Sequence, residues 1–149
     1  MTISERVGKF YLGAPYKKDH GPDSIGQADL VNDGLNCQAF VHLFYLDVLG
    51  IPLDPQMKSK EISQDEELFR SVIEGEAPAL GDVYCMGSVR TKPRNLHLAV
   101  VVGVNDKGFP ILRHANKKDG QVSDATLSDL QERYGMIHAV KRHKDRVQE

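Results

Sequence analysis

Cys37 stands directly after Asn36 and opens the run Cys-Gln-Ala-Phe-Val-His-Leu-Phe-Tyr, whose apolar residues recur every three or four positions. Asn36 is a favourable helix N-cap, which makes Cys37 the first helical residue, where unpaired N–H groups and the helix dipole favour negative charge. A thiol there is expected to be more acidic than usual, and the thiolate is the nucleophilic form. The alternative is a cysteine that merely begins a buried stripe, as free thiols often do. A nucleophilic thiol needs a base, and the chain has six histidines. His20 in a loop, His42 on the polar side of the helix and His143 in the tail are expected on the solvated surface, and His138 as a cross-strand partner. His97 and His114 remain.

His97 alternates with Ala99, Val101 and Gly103, while Leu96, Leu98, Val100, Val102 and Val104 fall on the other face. Both faces are apolar, so this strand is expected at the centre of a sheet. An imidazole in such a strand must find a polar partner, and a hydrogen-bonded core histidine is the plain reading of it. A hairpin turn centred on Asp106 and Lys107 sets His114 opposite Ala99, hence diagonal to His97 on one face. Diagonal side chains about 7–8 Å apart are within reach of rings, and a one-residue slip would remove the contact. The set then fits acyl transfer: Cys37 attacks a carbonyl, His97 takes the thiol proton and returns it to the leaving amine, and His114 steadies His97. The N–H of Cys37 and the Tyr16 hydroxyl are candidates for holding the oxyanion. Asn36 and Gln38, flanking the thiol, are candidates for substrate or oxyanion contact. One thiolate and two imidazoles also suit zinc. Structural zinc takes four ligands and catalytic zinc an open water position, so neither metal nor cofactor is expected.

The elements that must position these groups follow from periodicity and breakers. Residues 4–12 read as a helix capped by Ser4, with Val7, Phe10 and Tyr11 on one face, stopped by Gly-Ala-Pro-Tyr. Residues 17–35 read as a long surface loop, a candidate roof for the cleft. The helix from Cys37 buries Phe40, Val41, Phe44, Tyr45, Val48 and Leu49 and ends at Gly50. A second helix is expected over 63–75, with Ser63 and Glu66 as a capping box and Gly75 at its end. Strands follow at 82–86, 96–104, 109–115 and 121–123, then a helix at 128–134, a last strand at 136–142 and a frayed charged tail at 143–149.

The 149 residues fit one domain with a continuous core, about 7–142 without the tail. A formal charge of −2 provides no overall basic field, so nucleic acid is not an expected partner. Two cysteines make no disulfide framework and are expected as free thiols. The opening Met-Thr-Ile-Ser-Glu-Arg lacks the apolar run of a signal peptide, and no segment reaches the ~18 apolar residues of a membrane span. The chain is expected to be soluble and cytoplasmic as synthesised, reaching any external substrate by another route such as a phage particle or a secretion system.

The order of Tyr-Leu-Gly-Ala-Pro-Tyr (11–16), Gly-Leu-Asn-Cys-Gln-Ala-Phe (34–40), Leu-Gly-Asp-Val-Tyr (80–84), Leu-His-Leu-Ala-Val (96–100) and Leu-Arg-His-Ala (112–115) resembles the NlpC family of bacterial cell-wall cysteine peptidases. The resemblance implies a papain-like α+β fold, N-terminal helices packed on a central antiparallel sheet. Cys37 falls on the family's nucleophile, His97 on its base, His114 on its third polar residue, and Tyr16 on a tyrosine lining the site. Asp82 matches a turn residue expected to be structural, and Cys85 should be core. The implied activity is hydrolysis of an amide through a thioacyl-enzyme, with a peptide or peptidoglycan fragment as substrate. The family's usual Asp-Cys-Ser-Gly is here Asn36-Cys37-Gln38-Ala39, which puts specificity in question. An isopeptide amidase, a deamidase, an acyltransferase or a non-catalytic binding module are the alternatives.

Overall fold

The computed structural model describes residues 7–145. It contains helices α1 (Leu30–Asp33), α2 (Cys37–Phe44), α3 (Ser59–Gln64) and α4 (Leu127–Tyr134). The strands are β1 (Phe69–Ser71), β2 (Val83–Gly87), β3 (His97–Val104), β4 (Pro110–Asn116), β5 (Gln121–Thr126) and β6 (Met136–His143). They form one antiparallel sheet in the order β1-β6-β2-β3-β4-β5, which puts β3 well inside the sheet, as its two apolar faces require.

The two faces carry separate apolar clusters. On one, Phe40, Val41, Phe44, Tyr45 and Val48 pack against Val83, Cys85, Leu98 and Val100. On the other, Tyr84, Met86, Ala99, Val101 and Leu112 pack against Leu130 of α4. The α2 helix widens into a π turn over Tyr45–Leu49 and is closed by Gly50 in the left-handed region, φ 72°, a conformation glycine takes without a Cβ penalty. Asn36 caps its start, Oδ1 accepting from Ala39 N at 2.9 Å.

The β3–β4 hairpin carries two register features that cancel. Its turn is wider than a two-residue turn on Asp106 and Lys107: Asn105 Oδ1 accepts from both Lys107 N and Phe109 N, and Val104 pairs with Pro110. A bulge at Val102 then takes up one residue of β3, so Val101 faces Leu112 and Val100 faces Arg113. Near the histidines the pairing is therefore the expected one, although the turn is not.

The 63–75 stretch is not a helix. The preceding helix α3 stops at Gln64, and the Asp65 carboxylate accepts from Leu68 N (2.8 Å) and Phe69 N (2.9 Å), folding the chain into edge strand β1. Phe69 is then fully buried against Tyr45 and His143. Helical spacing in a short apolar segment lost here to a carboxylate that caps a turn. Glu66 caps nothing and pairs instead with buried Lys141. The tail also departs from expectation: His143 ends β6, paired with Phe69 and buried, while 146–149 lie outside the described residues. At the other end, Ser4 lies outside the described residues, and residues 8–13 form turns in which Tyr11 takes φ 56°. Residues 13–16 run alongside β5, with Tyr16 N donating to Gly120 O.

Tyr16 also pairs in parallel with Leu35, which ties the start of the long loop to the residue before the N-cap. Gly34 makes that approach possible. It has φ +110°, and a Cβ there would lie 2.8 Å from Lys17 Cβ.

Candidate active site

The N-cap Asn36 is held from outside the helix as well as within it: its Nδ2 donates to Lys18 O (3.0 Å) and its N to His20 O (2.9 Å). Cys37 therefore enters α2 from a fixed loop. Main-chain N–H groups of Leu98, Cys37 and Gln38 point at the sulfur. Leu98 is one residue on from His97, so the thiol is tied to the first turn of β3. Gln38 reinforces this joint. Its Nε2 donates to Ser59 Oγ (3.0 Å), which donates to Leu96 O (2.7 Å).

His97 begins β3 and stacks on Tyr134 of α4, ring centroids 4.0 Å apart and 9° from parallel. Its Nε2 lies 2.7 Å from Nδ1 of the fully buried His114. Cys37, His97, Tyr16, Asn36, Gln38 and Tyr134 line one open cleft of about 490 Å³. The side chains singled out in the sequence thus gather at one end of the sheet, with His114 behind His97.

No family model matches the chain, and no curated protein matches it. Among solved structures it is similar to the NlpC/p60 domain of peptidoglycan hydrolase SagA, at 20% identity and a TM-score of 0.48, over 85% of this chain and 88% of that chain.

Several groups around the histidines are not among the residues singled out in the sequence. Asn116 Nδ2 lies 3.4 Å from His114 Nε2 and donates to Gln121 O and Ser123 Oγ, while its Oδ1 accepts from Asp119 N and Arg133 Nη1. Asn116 is two residues after His114 on the same strand, and strand alternation would have placed it on the same face. Tyr134 and Arg133 come from α4, and no local pattern announces that this helix lies against His97. The loop expected to roof the cleft contributes Lys18 to it; its 22–27 portion lies instead along α2, over a second cavity that includes His42.

Burial pushes the Cys37 thiol up to about 11, and the three main-chain amides only partly offset it. The helix start alone therefore does not make this thiol acidic. Burial, His114 and Arg133 together hold His97 well below the usual imidazole range. Burial and Arg133 push His114 down to about 4, partly opposed by Asp119 and Asp124. At rest the groups are a neutral thiol and two neutral imidazoles.

The surface assignments of the other histidines need correction. His42 is buried and donates through Nε2 to Met57 O (2.6 Å), and His20 is half-buried, donating through Nδ1 to Gly34 O (2.9 Å). His138 is exposed and bonds Ser88 O rather than a cross-strand side chain. Burial lowers His42 and His143 as well as the cleft pair. Between the ordinary imidazole value of 6.5 and about 4, the unfolded chain binds protons that the folded chain does not. Stability is therefore expected to fall as pH drops through that window, by up to about 3 kcal/mol from His114 alone. Thermal melts between pH 7 and 4 check this. A His114→Asn variant should show a shallower loss, and an equally steep one would contradict the assignment.

Among the described residues no group of three or more His, Cys, Asp or Glu is placed to hold a metal ion, and no helix is long and apolar enough to cross a membrane.

Proposed function

We propose that this chain is a cysteine hydrolase that cleaves an amide bond, with peptidoglycan stem peptides as the substrate class its motifs favour. The observation that carries the reading is one cleft holding a helix-start thiol among main-chain N–H groups and an imidazole backed at 2.7 Å by a second, buried imidazole. Folding alone has no need of that combination.

With His97 Nε2 turned to His114, Nδ1 is the nitrogen left for the sulfur. In the proposed reaction Cys37 Sγ bonds to the scissile carbonyl carbon and its proton passes to His97 Nδ1. The oxyanion is met by the Cys37 N–H and the Tyr16 hydroxyl. His97 then protonates the leaving amine as the C–N bond breaks; water next attacks the thioester carbonyl while His97 takes its proton, the C–S bond breaks, and the proton returns from His97 to the Cys37 sulfur. His114 holds the ring of His97 and shares its charge while it is cationic. Asn36 and Gln38 act through position, since the amide of Gln38 is committed to Ser59.

Mass spectrometry of isolated peptidoglycan after incubation tests both activity and bond choice. Wild type should release peptide fragments that the Cys37→Ala variant does not. Identical fragment patterns, or none from wild type, would remove the cell-wall substrate from the reading.

A further inference from the structure

The lining of the Cys37 cleft has three cationic side chains, Lys18, Arg94 and Arg133, and not one Asp or Glu. The chain as a whole is slightly acidic, with 21 Asp and Glu against 19 Lys and Arg, so this lining runs against the overall balance. Lys18 and Arg94 are exposed, and neither has an ion-pair partner among the described residues. Arg133 is different in kind. Its side chain is only 21% exposed, and Nη1 is held between Asn116 Oδ1 (3.2 Å) and Asp119 Oδ2 (3.4 Å). The guanidinium sits beside the Tyr134 hydroxyl, next to the ring that stacks on His97. A fixed fork of donors at the cleft wall, with two exposed cations at its rim, is an arrangement for a carboxylate.

We propose that the cleft selects amide substrates that carry a carboxylate beside the scissile bond, with Arg133 as the anchoring group and Lys18 and Arg94 as the rim. This rests on Cys37 being the nucleophile of the cleft. It also supplies a reason for the charge to be there at all. Arg133 opposes protonation of both His97 and His114. A carboxylate seated on Arg133 removes that opposition and lets His97 accept the thiol proton, so the correct substrate improves its own base.

Two alkylating reagents of one reactivity type and different charge test this on the full chain. The rates of Cys37 alkylation by iodoacetate and by iodoacetamide are each divided by the rate for a free small thiol, with the site confirmed by peptide mapping. Wild type should favour the anion about ten-fold at low salt, and the preference should shrink as salt screens the rim. A Lys18→Glu/Arg94→Glu variant, altered only at exposed side chains, should weaken the preference, and adding Arg133→Gln should abolish it. A wild-type ratio near one, or a preference that survives when Arg133→Gln is added to the double variant, would overturn anion selection and leave Cys37 as nucleophile untouched. If neither reagent modifies Cys37 in the folded chain, the nucleophile reading fails and anion selection falls with it.

Discussion

A His97→Ala variant is expected to lose roughly 10⁴-fold in turnover, and combining it with Cys37→Ala should add almost nothing to the loss from Cys37→Ala alone. The reason lies in the resting charge state. A thiol pushed to about 11 is protonated at neutral pH, so attack requires a base at the moment the S–C bond forms. The main-chain N–H groups at the sulfur can stabilise a thiolate and cannot remove a proton, which leaves His97, across the same cleft, as the proposed base. His114→Ala should fall between wild type and His97→Ala, because it takes away the partner of His97 Nε2 and leaves the base in place. Single-turnover rates on a released-amine assay, taken across pH 5–9, would measure the series. If the Cys37→Ala and His97→Ala losses multiply in the double variant, the two side chains act independently and the shared-proton mechanism is wrong.

The geometry of this cleft was legible in the sequence to the extent that local rules determine it. Asn36 before Cys37 predicted a capped helix start, and alternation predicted His97 and His114 on one face; both are local properties of backbone geometry. Even so, the His97–His114 contact depended on a bulge at Val102 making good a turn that was placed one residue short. The missing parts are those that depend on tertiary packing. Tyr134 and Arg133 reach the cleft because Leu130 docks α4 on the sheet face opposite α2. The misread segment at 63–75 fails for the complementary reason: its helical spacing is real, but Asp65 offers the backbone a turn and the edge of β6 offers Phe69 a strand partner. His42 and His143 illustrate a further limit, since a histidine at an apparently polar position becomes buried once a carbonyl or a main-chain N–H satisfies it.

Asp82→Ala is expected to cause the largest loss of stability of any single change considered, about 3 kcal/mol or more, while leaving the cleft chemistry intact. Asp82 is fully buried. Its two carboxylate oxygens accept from Arg142 Nε and Nη2, both at 2.8 Å, and Oδ2 also accepts from Ala79 N at 2.9 Å. The pair ties the turn before β2 to β6, and the neighbouring main chain is fastened to β3 by Gly81 N donating to Val101 O and Val101 N to Asp82 O. Removing the carboxylate strands the Arg142 guanidinium, whose side chain is only 12% exposed and whose remaining acceptors are Ala77 O and the more distant Glu76. For a domain of this size the loss corresponds to a melting temperature lower by about 6–12 °C. Two comparisons separate the ion pair from general damage. Asp82→Asn should cost less, because one amide oxygen still accepts from Arg142, and Asp82→Ala/Arg142→Met should recover part of the stability by removing the stranded charge. If the double variant is as unstable as the sum of its two single changes, the pair is not coupled and Asp82 matters only as a turn residue. Turnover per folded molecule at a temperature well below either melt should be unchanged, which distinguishes this buried carboxylate from the groups that line the cleft.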